Sequence, residues 1–196
     1  MQTGRLDKQL AFLKEIDQLK SVIRQSPLLD RSRKENSAEH SWHLAMYALI
    51  LSEHAGETVN ATRVIKMLLL HDVVEIDVGD FPIHGGTSSQ LQAEQESKAA
   101  VRLFGLLPQP QGSELLGLWQ EFEFAQTADA KFAKALDRFQ PLLVNLATGG
   151  GTWTENDVSL DQVLSRYGRV IEAGAPDLWA VCERWVIEHF RNGREA

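Results

Sequence analysis

The stretch HDVVEID at 71–77 sets a histidine and an aspartate side by side directly after the apolar run KMLLL. Aspartate is among the residues least often fully buried, so a His–Asp pair in an apolar helix needs something that satisfies it. At helical spacing Leu68, His71, Asp72 and Glu75 share one face, which aims an imidazole and two acids the same way. The anomaly recurs at Glu39-His40-Ser41-Trp42-His43, which opens a second apolar run, and at KALDRFQPLL (134–143), where Asp137 follows Leu136. A single buried His–Asp pair is ordinarily a hydrogen-bonded polar contact and nothing more. Three apolar segments that each carry an inward imidazole or carboxylate point instead to a shared ion. Imidazole and carboxylate donors suit a divalent transition metal, and a cation removes the cost of burying two carboxylates.

The elements that must position these residues read as helices throughout. Leu6, Leu10, Leu13, Ile16 and Leu19 form the apolar stripe of a first helix that ends before Pro27. After the polar loop DRSRKENS, Ser37 is placed to cap a helix over AEHSWHLAMYALILSEHA, closed by Gly56; Asn60 caps the next, ATRVIKMLLLHDVVEI, which stops near Gly79. Both are apolar over wide faces and therefore central. Past the turn-rich loop GDFPIHGGTSS come helices over LQAEQESKAAVRLFGLL, SELLGLWQEFEF and ADAKFAKALDRFQPLLVNLA, the last of which Pro141 should bend or break. TGGGTWTEND reads as a flexible loop, and SLDQVLSRYGRVIEAG and PDLWAVCERWVIEHF complete the chain. With no alternating strand pattern or repeat, the fold class is all-α: a single compact bundle of seven or eight helices.

Composition bounds the function. The 196 residues can bury one sizeable core. The lone Cys182 excludes an intrachain disulfide and fits a reducing, cytoplasmic setting. The start MQTGRLDKQLAFL has no leader-like apolar segment, and LAMYALIL at 44–51 is far short of the roughly 20 residues that span a bilayer, so neither export nor a membrane is expected. A formal charge of −7 with scattered acids opposes binding to a nucleic-acid polymer. A small anionic substrate remains open if a local cation receives it.

In order and rough spacing, His40, His71-Asp72 and Asp137 resemble the HD-domain metal-dependent phosphohydrolases. ENSAEHSWH at 35–43, HDVVEIDVGDFP at 71–82 and KALDRFQPLL at 134–143 look like the branch that contains bacterial 5′-deoxynucleotidases and related hydrolases. The resemblance covers roughly residues 5 to 145. It implies one HD domain over 1–196, with the metal-site core at about 30–145 and the helices of 158–192 packed on it. It implies that His40, His71, Asp72 and Asp137 hold one divalent ion (Mn, Co, Fe, Ni, Zn or Mg), that Glu75 and Asp80 line the site as proton-handling or water-orienting groups, and that the protein is a homodimer. The deoxynucleotidases carry an Arg-Trp pair just before the proline that precedes ENxxEH. This chain has Gln25 and Ser26 there, and its nearest arginine, Arg24, is one position off. Arg33 does coincide with a family arginine.

Two histidines and two carboxylates leave one or two positions open on a five- or six-coordinate ion, room for a water and a phosphoryl oxygen. Glu75, one turn beyond His71, can take a proton from that water, and Asp80 can orient it or protonate the leaving oxygen. Arg33 and Lys34 are the cations expected at a phosphate, with His84 in FPIHGG near the substrate. The expected reaction is removal of phosphate from a small phosphomonoester, a (deoxy)nucleoside 5′-monophosphate before others. The alternatives are an HD-type phosphodiesterase or pyrophosphohydrolase, or a metal-binding sensor domain without catalysis, which would have no use for Glu75 and Asp80 beside the ligands. His43 is read as core or as support for the ligands, and Trp42, Trp179 and Trp185 as packing. Arg138 points off the metal face by helix geometry, in a salt bridge. GGG at 149–151 lacks the Lys-Ser/Thr of a phosphate loop.

Overall fold

The computed structural model describes residues 3–81, 83 and 89–192, and the regular structure among them is helical apart from one two-stranded hairpin. Helix α1 (Thr3–Glu15) runs into a 3-10 turn over Ile16–Ser21, followed by strands β1 (Ile23–Pro27) and β2 (Lys34–Asn36). Then come α2 (Ser37–Leu51), α3 (Ala61–Leu70), a 3-10 turn over His71–Val74 and the short α4 (Glu75–Val78). The second half holds α5 (Ser89–Phe104), α6 (Gln111–Phe124), α7 (Ala128–Ala147), α8 (Gly151–Glu155), α9 (Leu160–Val163), α10 (Arg169–Gly174) and α11 (Pro176–Asn192), with a π turn over Leu164–Gly168 between α9 and α10.

The all-α expectation holds. Helix α8 is an addition to it, in the stretch read as flexible: Trp153 at its centre is buried among Leu142, Ile171 and Val186, and burying so large an apolar side chain fixes the segment. The hairpin is a second departure. Its strands pair antiparallel with Ile23 opposite Asn36 and Pro27 opposite Lys34, an offset that requires an irregularity between them. Five and three residues are too few for alternation to stand out in the sequence. Pro141 does not end α7, which continues unbroken to Ala147.

Helices α2, α3 and α7 are central, as their wide apolar faces require: Leu44, Ala48, Val64, Met67, Leu68, Phe132 and Leu136 are all fully buried in one cluster. Asn36 rather than Ser37 caps α2, in a capping box with Glu39, and this leaves the Ser37 hydroxyl for the site. Asn60 caps α3 as expected. On α1 the leucine stripe is not the buried face: Leu6, Leu10 and Leu13 are about half exposed, while Phe12 packs inward against Phe104 of α5 and Leu19, in the following turn, is buried in the same cluster.

Helix α10 crosses α7 so closely that a methyl group on Gly174 would run into the Lys131 carbonyl and the Ala135 side chain. Gly174→Ala should therefore cost about 1–3 kcal/mol and lower the melting temperature by several degrees. Gly117→Ala, in open space on α6, should be neutral or stabilising by up to about 1 kcal/mol. Paired thermal melts check both, and equal melting temperatures for the two variants would contradict the close crossing.

Candidate metal centre and the cavities beside it

The 3-10 turn after α3 decides where His71 and Asp72 point. A continuous α-helix was expected through 71–76, but the backbone tightens at His71–Val74 before α4 resumes. Trp119 Nε1–H donates to the His71 carbonyl (3.1 Å) and pins the turn from α6. The His71 ring packs edge-on against Phe122, and its Nδ1 lies 2.8 Å from the Leu68 carbonyl. A carbonyl only accepts, so Nδ1 carries the hydrogen and Nε2 faces the site.

There His71 Nε2 lies 2.9 Å from Asp72 Oδ1 and 3.6 Å from Asp137 Oδ1. From α2, His40 Nε2 lies 3.2 Å from the same Asp137 oxygen and 4.0 Å from Asp72 Oδ2. All four side chains are buried. His40, His71 and Asp72 offer ligand atoms within 4.8 Å of one another, a set able to hold a metal ion, and Asp137 reaches both imidazoles from α7. The structure thus brings together all four residues of the ligand set inferred from sequence.

Two further groups support this cluster and were missed in the sequence. β1 turns Arg24 and Ser26 inward and Ile23 and Gln25 outward, and β2 turns Glu35 inward. The Arg24 guanidinium consequently enters the site: its Nη1 donates to Asp72 Oδ2 at 2.8 Å and lies 3.7 Å from both Glu75 Oε1 and Asp80 Oδ1. Glu35 Oε1 sits 3.3 Å from His40 Nδ1 and 3.3 Å from Arg24 Nε, where it orients the imidazole from behind. The signal for Arg24 was its place one residue before the family's Arg-Trp positions.

The electrostatics follow from crowding. Burial alone would lower the His71 imidazole, but Asp72 and Asp137 outweigh it and push it up to about 10. Against its own burial, Asp72 is held down at about 2 by His71 and Arg24, and Asp137 is held well below the carboxylate range by Arg138 and the imidazoles. Glu75 goes the other way: burial and the Asp72 charge push it up to about 9, although Arg24 and the Ser37 hydroxyl, which donates to Oε2 at 2.5 Å, pull it back. Burial likewise raises Asp80, which the left-handed turn at Gly79 (φ 77°) delivers to the rim.

Two cavities adjoin the cluster. One of about 150 Å³ is bordered by His71, Asp72, Glu75 and Asp137, with Glu96, Glu123 and Lys134 on its far wall. The other, about 70 Å³, is bordered by Gln25, Ser26, Ile83, Thr152 and Tyr167. Arg24, Asp80, Phe81 and Arg138 border both.

The residues expected at a phosphate lie elsewhere. Arg33 is about half exposed and forms a two-pronged pair with Glu39 (2.5 and 2.9 Å), and Lys34 pairs with Glu155 at 2.8 Å. Both border a separate outer groove with Arg31 and Thr154, because they follow the hairpin loop outward while Glu35 turns in. His84 lies outside the described residues. His43 faces Tyr47 and Trp185 in an apolar groove away from the cluster. Trp179 is buried as expected, whereas Trp42 and Trp185 are 61% and 47% exposed, which corrects their reading as packing. Arg138 makes the expected salt bridge to Asp137, but its side chain borders both cavities rather than pointing away.

The family model described as HD domain matches residues 16–179, and the chain belongs to that family, whose members are metal-dependent. A curated relative, the 5′-deoxynucleotidase HDDC2 of Bos taurus, is 33% identical over 135 residues, 68% of this chain and 64% of its own length, so the chain spans just under two thirds of that relative. A 5′-deoxynucleotidase of Erwinia tasmaniensis is 28% identical over 165 residues, covering 79% of this chain and 83% of its own. A solved structure from Magnetospirillum magnetotacticum, described as a predicted metal-dependent phosphohydrolase, is 50% identical, with a TM-score of 0.92 over 97% of this chain and 95% of its own.

The geometry fits a resident ion on its own terms. His71 Nε2 is a buried nitrogen without a hydrogen-bond partner, its tautomer fixed, aimed at two carboxylates; only a proton or a cation satisfies that arrangement. Because the His71 imidazole is pushed up to about 10 and the Glu75 carboxyl up to about 9, loading Mn²⁺ at pH 7 should expel protons from both, and apparent affinity should weaken as the pH falls. Calorimetric titrations in two buffers of different ionisation enthalpy read the proton count, and a buffer-independent heat would contradict this account of His71.

Proposed function

We propose that the chain is a divalent-metal-dependent phosphohydrolase that removes phosphate from a (deoxy)nucleoside 5′-monophosphate. The observation that carries this reading is the convergence of His40, His71, Asp72 and Asp137 with the Arg24 guanidinium and two further acids at one buried cluster beside open cavities. The names of the curated relatives and of the solved relative agree with it.

In this reading His40 and His71, through Nε2, and Asp72 and Asp137 hold one ion. When bound, such an ion polarises a phosphoryl oxygen and acidifies water. Charge compensation at Asp72 then releases Arg24, otherwise committed to that carboxylate, to hold the phosphate by charge-assisted N–H donation. Glu75 accepts the proton of the attacking water. Its carboxyl, pushed up to about 9, would fall back beside a bound divalent charge, and the Ser37 hydroxyl holds Oε2 in place. Asp80 stands at the rim of both cavities, where it orients the water or protonates the leaving oxygen. Ser26, inward-facing at the position that aligns with the tryptophan of the deoxynucleotidases, gives the smaller cavity a polar wall, so base preference should differ from theirs. Arg33 and Lys34, at the outer groove, have no part in holding the phosphate.

We read residues 1–196 as one HD domain acting in the cytoplasm as a homodimer. No described helix is long and apolar enough to cross a membrane. For the dimer, the outer face of α2 exposes Trp42, Met46, Leu49 and Ile50, and Trp185 of α11 borders the groove beside it, an apolar surface of the kind that association covers.

Metal-stripped protein reloaded with Mn²⁺, Co²⁺ or Mg²⁺ should release inorganic phosphate from nucleoside 5′-monophosphates and lose that activity to a chelator. Cleavage of diesters or pyrophosphates alone would overturn the assignment in favour of another HD reaction. Glu75→Gln should keep the metal, since it touches none of the ligands' donor atoms, and lose at least about a hundredfold in kcat, the scale of a general base. Unchanged turnover would remove Glu75 from the proton path.

A further inference from the structure

Arg138 follows a candidate ligand in the chain, and consecutive helix residues diverge by roughly 100°. Its side chain nevertheless folds back on Asp137. The carboxylate is divided as a result: Oδ1 faces His40 Nε2 at 3.2 Å and His71 Nε2 at 3.6 Å, while Oδ2 accepts from Arg138 Nη1 at 2.6 Å. A guanidinium has five N–H donors in a rigid fork, and no other hydrogen bond ties Arg138 to the described residues. The side chain is 30% exposed and borders both cavities, as does Arg24.

We propose that Arg138 couples the metal centre to the phosphate: it holds Asp137 by Oδ2 so that Oδ1 faces the ion, and it gives its free N–H donors to the phosphoryl group. The proposal rests on the metal-centre reading above. It requires a fork rather than a point charge, because one edge is committed to a carboxylate while the remaining donors reach a second anion. Lysine, with a compact ammonium, cannot hold both in that geometry. With Arg24 bordering the same two cavities, the phosphate would meet two guanidiniums whose partners, Asp72 and Asp137, are themselves candidate ligands. Phosphate and ion should therefore strengthen each other's binding.

The test uses metal-free wild type, R138K and R138Q. Mn²⁺ is titrated calorimetrically without substrate, then inorganic phosphate is titrated into each Mn²⁺-loaded protein. R138Q should lose about tenfold or more in Mn²⁺ affinity, the scale set by groups that orient a ligand, and a comparable factor in phosphate affinity. R138K should recover part of the phosphate affinity without the metal affinity. In turnover, KM should rise more than kcat falls. Without metal, R138K keeps the counter-charge of the buried Asp137 carboxylate and should melt close to the wild type, whereas R138Q removes it and should melt lower. R138Q equal to wild type in either titration overturns the proposal and leaves Arg138 a local salt bridge. A wild type that takes up no Mn²⁺ overturns the metal-centre reading itself, and this proposal with it.

Discussion

The structure is organised around a surplus of negative charge in its interior. Glu35, Asp72, Glu75, Asp80 and Asp137 crowd around two imidazoles, and among the described residues Arg24 and Arg138 are the guanidiniums paired with them. Five carboxyls against two guanidiniums leave three negative charges if all ionise, and buried charge without a partner is among the most costly things a fold can contain. The metal-free protein reduces the surplus by protonation: His71 keeps its proton to about pH 10, and Glu75 holds one to about pH 9. A divalent cation removes the same surplus without protons.

That constraint explains local features with no other evident purpose. A two-stranded hairpin in a helical protein is a marginal element by itself, yet its alternation is what turns Arg24 and Glu35 inward from adjacent strands. The 3-10 turn at His71–Val74 departs from the helix only where the imidazole and carboxylate must both face the cluster, and tight turns of this kind inside helices often mark functional positions. Gly79, at φ 77°, ends α4 abruptly enough to return Asp80 to the rim; its missing side chain meets no crowding, so conformation alone selects glycine there.

The sequence revealed the part of this site carried by long elements. His40, His71, Asp72 and Asp137 stand out because each interrupts an apolar run long enough to read as buried helix, and helical periodicity fixes which residues share a face. Arg24 and Glu35 did not stand out. Arg24 sits in a five-residue strand within the stretch read as the end of the first helix, and Glu35 in a three-residue strand within the segment read as polar loop, so neither was read with an inward and an outward side. The same blindness promoted Arg33 and Lys34, which have the right charge and lie near the right helix but leave the hairpin on its outer side. Long-range partners were equally illegible: the exposure of Leu6, Leu10 and Leu13 depends on which face of α1 meets α5, and the burial of Trp153 on helices before and after it that bring Leu142, Ile171 and Val186 together.

The charge surplus also ties function to stability in one direction. Arg24 is bound to Asp72 and lies near Glu75 and Asp80, so the cation best placed for phosphate is shared with the acids it neutralises. Relief of Asp72 by an ion frees Arg24 and at the same time removes the penalty of the buried carboxylates. An ion bound only by the folded chain therefore stabilises the fold and activates the anion site through the same carboxylate. In the proposed reading the ion and the phosphate would therefore favour each other's binding, because the carboxylate that holds the one is the partner of the guanidinium that receives the other.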